Sequence, residues 1–182
     1  MKHFLFSFLI IGTILNSSCK KSSDAAIKIT TGTFTVNSSA FINNGAFPKL
    51  YTCDSMGISP KLNWSNVPVG TTHFAIVMHH IPPTPPNHVY MLLYNISATV
   101  TSIPDAVSGI GIFGINTVNW QQSYTPPCSQ GPGAKLYTIT LYALSSALVF
   151  TVLQSQVTRD IFLAAIANKT LAVSEINVTY SR

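Results

Sequence analysis

The stretch VYMLLYNI at residues 89–96 is apolar at nearly every position and rich in β-branched and aromatic side chains. A run of this length and composition predicts a central strand that is buried on both faces of a sheet. Similar runs lie at residues 73–78 and 136–144, and segments rich in proline, glycine, serine or asparagine separate all three. This arrangement predicts a mainly β domain.

Further elements follow from the pattern on either side of these runs. Apolar and polar residues alternate over 27–30, 33–36 and 174–180, which predicts strands with one core face. One helix is predicted between Thr158, which suits an N-cap, and Asn168, because apolar side chains recur there at helical spacing. The prolines of residues 81–86 predict a stiff loop between two strands.

The N-terminus is typical of an exported protein. Lys2 precedes an apolar run over 4–15 that is too short to span a bilayer, and small residues follow up to Cys19. We therefore expect a signal peptide at 1–18, a lipidated tether at 19–26 that begins with an acylated Cys19, and one domain at 27–182. This predicts a protein of the bacterial cell envelope, on the periplasmic or surface side, whose only membrane contact is its lipid anchor.

Ordinary secretion, with no role for Cys19, is the alternative, because residues 15–19 depart from the usual Leu-Ala-Gly-Cys lipobox.

The charge pattern argues against a nucleic-acid partner. Charged residues make up only 8% of the sequence, and once Lys2 is removed nine basic side chains minus five acidic ones leave +4. The basic residues after Lys21 are scattered singly, without the stripe that tracks a phosphate backbone.

The stretch YTCDSMGISPKLNW at 51–64 resembles Y-T-C-D-G-x-N-x-S-P-x-L-x-W, a signature of the bacterial Raf kinase inhibitor-like branch of the phosphatidylethanolamine-binding proteins. Other family patterns are matched in order by residues 67–71, 94–96, 124–129, 137–144 and 171–182. The resemblance implies a large antiparallel sheet packed with a smaller sheet, a few helices, and a small pocket at one end that binds anions such as phosphate head groups.

The resemblance also implies which side chains bind the ligand: Asp54, His80, His88, Tyr90, Lys135 and Tyr137. Several of these depart from the family pattern. The acidic D-P-D-A-P loop becomes HIPPT at 80–84, the H-W pair becomes Tyr90-Met91, and H-R-Y becomes KLY at 135–137. The pocket has thereby lost negative charge, so an anionic or polar ligand with acceptor oxygens is expected. Asp54 has an alternative role, which is to hold its own loop by hydrogen bonds.

Cys53 and Cys128 lie in two segments that, by the resemblance, line the same pocket. An exported protein can keep a disulfide, so a bridge between them is predicted, with two separate buried thiols as the alternative.

The residue pattern favours simple binding over metal binding or catalysis. His79, His80 and His88 flank the proline loop and are possible zinc or copper ligands, but adjacent residues of a strand point to opposite faces. No cofactor or metal is therefore predicted. The chain has no Gly-x-Ser-x-Gly turn or triad spacing, so no catalytic residue is predicted either.

The sequence thus predicts a non-catalytic, exported lipoprotein that binds a small anionic or polar ligand. The alternative is a protein-interaction module that inhibits a protease or kinase-like partner.

Overall fold

The computed structural model describes residues 32–83 and 86–182. Within these residues the chain forms nine strands and one α-helix: β1 Thr35–Asn37, β2 Gly45–Ala46, β3 Leu62–Ser65, β4 His73–His80, β5 His88–Ser97, β6 Ser102–Ile103, β7 Ile112–Phe113, β8 Lys135–Leu144, α1 Arg159–Ile166 and β9 Thr170–Tyr180. Short 3-10 helices lie at Lys49–Tyr51 and Gln154–Gln156. No helix among the described residues has the length and apolar character that crossing a membrane requires.

The strands form two sheets, which confirms the predicted fold class. The smaller sheet has the order β1-β3-β6, and the larger has the order β2-β9-β8-β4-β5-β7. Neighbouring strands are antiparallel except for β2, which pairs in parallel with the end of β9 over two residues.

The strand predictions are confirmed at 73–78, 89–96 and 136–144, and each strand extends slightly beyond its predicted bounds. β5 is buried on both faces, as predicted. Its position is less central than predicted, since its outer neighbour is the two-residue β7. The middle of the sheet is formed by β8 and β4, and β4 pairs along its length with β8.

The larger sheet has an apolar layer on each face, because strand residues alternate between faces. On one face, Phe74 of β4 meets Trp64 of the smaller sheet with ring centroids 5.1 Å apart. On the other face, Ala75 and Val77 belong to a second cluster with Phe162 of α1.

Helix α1 begins as predicted, since the Thr158 side chain accepts a hydrogen bond from the Ile161 amide at 3.4 Å. It ends at Ile166, two residues before the predicted Asn168, which is within the usual spread of helix ends. The helix buries Phe162 and Ile166 against the sheet.

The described chain enters the domain far from the proline loop. The Thr33 carbonyl accepts a hydrogen bond from Asn66 at 3.1 Å, and Asn66 leads into the start of β4 at His73. The proline loop follows the other end of β4, about 24 Å away for an eight-residue strand. The predicted signal peptide, tether, Cys19 and the strand at 27–30 lie outside the described residues.

Candidate functional site

A cavity of about 930 Å³ opens where β4 ends and where β5 and β8 begin. It is larger than the small pocket that the resemblance implies. Its lining comes from the strand ends, the proline loop and the long connection before β8: His80, Ile81, Pro82, Pro83, His88, Tyr90, Val118, Thr125, Pro126, Cys128, Ser129, Gln130, Pro132, Ala134, Lys135, Leu136 and Tyr137. Five of the six predicted ligand-binding residues therefore line one cavity, and Asp54 does not.

The strand register brings these side chains together. His80 pairs with His88 at the end of the β4–β5 hairpin that the proline loop closes. The next pairs inward are His79 with Val89 and Met78 with Met91, which leaves Tyr90 as an extra residue on β5. A bulge of this type redirects a side chain, and here Tyr90 joins the cavity lining and the core between the sheets.

Aromatic rings form the floor of the cavity. The rings of Tyr90 and Tyr137 meet edge to face with centroids 5.3 Å apart. The His80 ring lies 5.5 Å from Tyr137 and 6.3 Å from His88. The floor is therefore a compact group of two phenols and two imidazoles.

The hydrogen bond of His80 fixes its tautomer. Its Nδ1 lies 2.8 Å from the Leu136 carbonyl, which can only accept, so Nδ1 carries a hydrogen. In the neutral ring Nε2 then has a lone pair and acts as an acceptor. Only protonated His80 can donate at Nε2, so a contact from this atom to an anion requires a second ring proton.

Two hydroxyl groups in the lining lack partners. Tyr137 is fully buried and Thr125 is 8% exposed, and neither hydroxyl makes a hydrogen bond of regular geometry with a described residue, although Tyr90 and Ser129 lie near the Tyr137 hydroxyl. Buried polar groups without partners are rare and costly. Burial raises the pKa of both Tyr137 and Tyr90, so both phenols keep their protons at neutral pH and can donate.

The charge of the lining is positive. Lys135 is half-buried at the start of β8 and lines the cavity. No carboxylate lines the cavity within residues 32–83 and 86–182. This agrees with the loss of negative charge that the replaced acidic loop predicts.

Asp54 lies next to the cavity wall and has a different set of contacts. It accepts a hydrogen bond from the Tyr180 phenol and pairs with Arg182, whose Nε lies 2.7 Å from Oδ1. The Tyr180 hydrogen bond, helped by the Arg182 charge, lowers the pKa of Asp54. Asp54 therefore joins its loop to the segment at the end of β9.

The cavity wall at residues 124–129 is held against the loop at 51–57. A disulfide joins Cys53 to Cys128, and the Cys53 amide donates to the Pro127 carbonyl at 3.1 Å. Ser129 Oγ donates to the Tyr180 carbonyl at 3.0 Å. A wall without regular secondary structure is thus fixed by covalent and polar contacts.

Thr125, Ser129 and the prolines of the lining were not among the predicted site residues. Residues 124–129 did provide a signal, since they match a family pattern that the resemblance places in the pocket, but only Cys128 was singled out there. The sequence alone does not indicate that a threonine in a proline-rich loop has a binding role.

The three histidines of the proline-loop region divide between two faces, as predicted. His79 is buried on the face opposite the cavity, and that burial lowers its pKa. Among the described residues, no group of three or more His, Cys, Asp or Glu side chains is placed to hold a metal ion.

Comparison with known proteins gives concordant matches. The family model described as phosphatidylethanolamine-binding protein matches residues 37–181. A UPF0098 protein of Chlamydia muridarum is 30% identical over 154 residues, which cover 81% of this chain and 98% of the relative.

Two solved structures are also similar. A protein of Chlamydia trachomatis described as a phosphatidylethanolamine-binding protein homologue has a TM-score of 0.74 at 27% identity, covering 82% of this chain and 98% of that one. YbcL of Escherichia coli has a TM-score of 0.73 at 22% identity, covering 83% and 99%, and shares the fold.

Proposed function

The chain belongs to the phosphatidylethanolamine-binding protein family, and we propose that it is an exported lipoprotein whose cavity binds a small anionic or polar ligand without catalysis. The cavity is the only candidate site here that combines a large concave surface with convergent polar groups, among the residues described.

The unpartnered hydroxyls of Tyr137 and Thr125 are the observation that carries this proposal. A ligand oxygen that accepts from both would remove the cost of two buried donors. A phosphate or carboxylate group has such oxygens, and hydrogen bonds to a charged acceptor are the stronger kind.

Lys135 supports an anion over a cation. Its ammonium group is charged at neutral pH and forms no ion pair with another described residue. Tyr90 adds a third hydroxyl donor to the same lining. A cation in this cavity would meet a lysine and no carboxylate.

The placement of the carboxylates supports binding without catalysis. Asp54 accepts a hydrogen bond from Tyr180 and forms an ion pair with Arg182. Asp105 accepts from the Lys61 amide at 2.9 Å, and Glu175 accepts from Thr140 at 3.0 Å. None of these three carboxylates lines the cavity, so none of them is placed to act there as an acid or a base.

Calorimetric titration with inorganic phosphate tests the proposal. Tyr137→Phe should weaken phosphate binding about tenfold or more, because it removes one hydrogen bond to a charged acceptor. Tyr142→Phe is the matched control, since Tyr142 packs with Phe162 on the opposite face of the sheet. Absence of phosphate binding by the parent, or equal binding by both variants, would refute the proposal.

One observation favours the alternative, a protein-interaction module. Trp120 is 65% exposed and has a φ of 60°, a conformation that costs a bulky residue on the order of 1 kcal/mol. Its loop is rigid because the fully buried Asn116 accepts from the amides of Val118 and Asn119 and donates to the carbonyls of Gln121 and Ser123.

A tryptophan held rigidly in solvent beside a cavity resembles the anchors of protein interfaces. A pull-down from envelope extract tests this alternative. It predicts a stoichiometric protein that Trp120→Ala fails to retain and that Val149→Ala, altered at another exposed apolar residue, still retains. Equal recovery of that protein by both variants would exclude a role for Trp120.

A further inference from the structure

We infer that a second binding site, for a carboxylate group, lies on the face of the larger sheet opposite the cavity, between Arg159 of α1 and His79 of β4. The site shares no residue with the cavity lining, so the inference does not rest on the proposed function.

The strand register places three polar side chains together on this face. His79 pairs with Thr138 of β8, and Thr140, two residues further along β8, pairs with Glu175 of β9. Residues two apart on a strand share a face, and directly paired residues share it too. Thr140 Oγ1 donates to Glu175 Oε1 at 3.0 Å. His79, Thr140 and Glu175 therefore form the sheet side of the site.

Helix α1 supplies the other side of the site. Arg159 is its first residue and lies three residues before Phe162, so both point to the same side of the helix. Phe162 packs against Tyr142 of β8 with ring centroids 5.5 Å apart, and this contact holds Arg159 over β8. Burial lowers the pKa of His79 and the Arg159 charge lowers it further, so the two side chains lie within electrostatic reach of each other.

Both residues have buried nitrogen atoms without partners. His79 is 8% exposed, and neither its Nδ1 nor the buried Nε of Arg159 has a hydrogen-bond partner among the described residues. Arg159 forms no ion pair with a described residue either. A buried imidazole without a partner and a half-buried cation without a counter-ion are rare and costly. A ligand that supplies negative charge and acceptor oxygens would offset both costs.

His79 can bind a carboxylate in its neutral form. A neutral imidazole carries one hydrogen, on either Nδ1 or Nε2. With the hydrogen on Nε2, the ring donates to a ligand oxygen, and the buried Nδ1 has no hydrogen that needs an acceptor. A bound carboxylate would also stabilise the protonated ring, and it should therefore raise the pKa of His79.

The surrounding charges favour a carboxylate over a phosphate. The guanidinium of Arg159 has a planar fork of donors that matches the two oxygens of a carboxylate. Burial lowers the pKa of His79, so Arg159 carries the only permanent positive charge among the described groups of the site. The nearby charge of Glu175 opposes a doubly charged phosphate more than a singly charged carboxylate. A single carboxylate matches this balance.

An NMR titration with sodium acetate tests the inference, on the chain with Cys19→Ser and with acetate replacing chloride so that the ionic strength is constant. The imidazole resonances of His79 should change saturably, and acetate should raise the pKa of His79. His73, at the other end of β4, is the internal reference and should not respond. Inorganic phosphate should bind to this site more weakly than acetate.

Two variants remove opposite charges from the site. Arg159→Gln should weaken acetate binding at His79 about tenfold or more, because it removes the guanidinium fork. Glu175→Gln should strengthen acetate binding, because it removes a repelling charge, and it gives a result even if Arg159→Gln does not fold. Lys169→Gln, which removes a positive charge beyond the other end of α1, is the matched control and should leave the affinity within about threefold.

Several results would overturn the inference. A response of His79 no larger than the response to chloride would exclude a carboxylate site. Equal acetate affinity in the parent and Arg159→Gln, or weaker affinity in Glu175→Gln, would show that these residues do not form the site. Tighter binding of phosphate than of acetate would exclude the inferred ligand class. None of these results would bear on the cavity, because its lining is separate.

A further arm identifies the source of such a carboxylate by comparing N-acetyl-trialanine with its C-terminal amide. Binding of the free acid about tenfold more tightly than acetate, without binding of the amide, would identify a peptide C-terminus. Equal affinities of the free acid and acetate would identify a small free carboxylate.

Discussion

Asp54 and Arg182 form an ion pair in which Nε lies 2.7 Å from Oδ1. This pair connects the loop that carries Cys53 with the segment after β9. Because Cys53 is bonded to Cys128 in the cavity wall, the pair also helps to hold the wall in place. Its consequences can be tested by changing either residue.

Asp54→Asn should lower stability at neutral pH and have little effect in strong acid. The hydrogen bond from Tyr180 and the Arg182 charge lower the pKa of Asp54 below its ordinary value of 3.8. The stabilisation is therefore complete above pH 3.8 and is lost as the pH falls through the lowered pKa of the folded state. Urea unfolding of Asp54→Asn, Arg182→Gln and the double variant should show coupling at about pH 7 that weakens as the pH falls below 3.8. Additive effects at both pH values would contradict this role.

Replacing both Cys53 and Cys128 by Ser should lower the free energy of unfolding by about 4 kcal/mol. The bridge spans a sequence separation of 75 residues, and loop-closure entropy grows with that length. Denaturant unfolding measures the change. Thiol titration of the unfolded, unreduced mature chain is the direct check, and two free thiols would show that the bridge does not form in the protein.

Burial of His79 should lower the free energy of unfolding of the domain in mild acid. Burial, with a smaller contribution from the Arg159 charge, lowers its pKa below 6.5. The unfolded chain therefore binds the proton more readily, and stability is lost as the pH falls below about 6.5 towards the pKa of the folded state. His79→Gln should flatten the dependence of the free energy of unfolding on pH between about 7 and 5. His73→Gln, at the other end of β4, should leave it unchanged, and equal slopes in the parent and His79→Gln would be inconsistent with this role.

Cys19→Ser should release the protein into the soluble fraction of envelope preparations. The prediction follows from the short apolar run and the polar tether in the sequence, since stable anchoring requires acyl chains on that cysteine. Fractionation followed by immunoblotting measures it. A variant that stays in the membrane pellet as firmly as the parent would rule out the acyl anchor.

The fold could be predicted where apolar runs were long. β4, β5 and β8 have eight to ten residues each, so their composition is visible in the sequence. β2, β6 and β7 have two residues each, too few to show alternation. Their existence depends on which neighbours the chain brings beside them.

The site could be predicted only in part. The shared position of His80, His88, Tyr90, Lys135 and Tyr137 could be predicted because they fall at strand ends that the family resemblance places together, and their binding of a ligand stays a prediction. The position of Asp54 outside the lining could not be predicted, because its partners Tyr180 and Arg182 lie more than 120 residues away in the sequence. The bulge that redirects Tyr90 depends on the register between β4 and β5, which composition does not determine.

The central claim is that Lys135 and the hydroxyl floor bind an anion. Calorimetry with a phosphate-bearing ligand at about pH 5.5 and about pH 8, on the parent and on Lys135→Ala, tests it most directly. Lys135→Ala should lose affinity by about tenfold or more at both pH values, because the substitution removes the ammonium group of the lining. No binding at either pH, or binding that Lys135→Ala leaves untouched, would exclude the anion site and favour a protein partner.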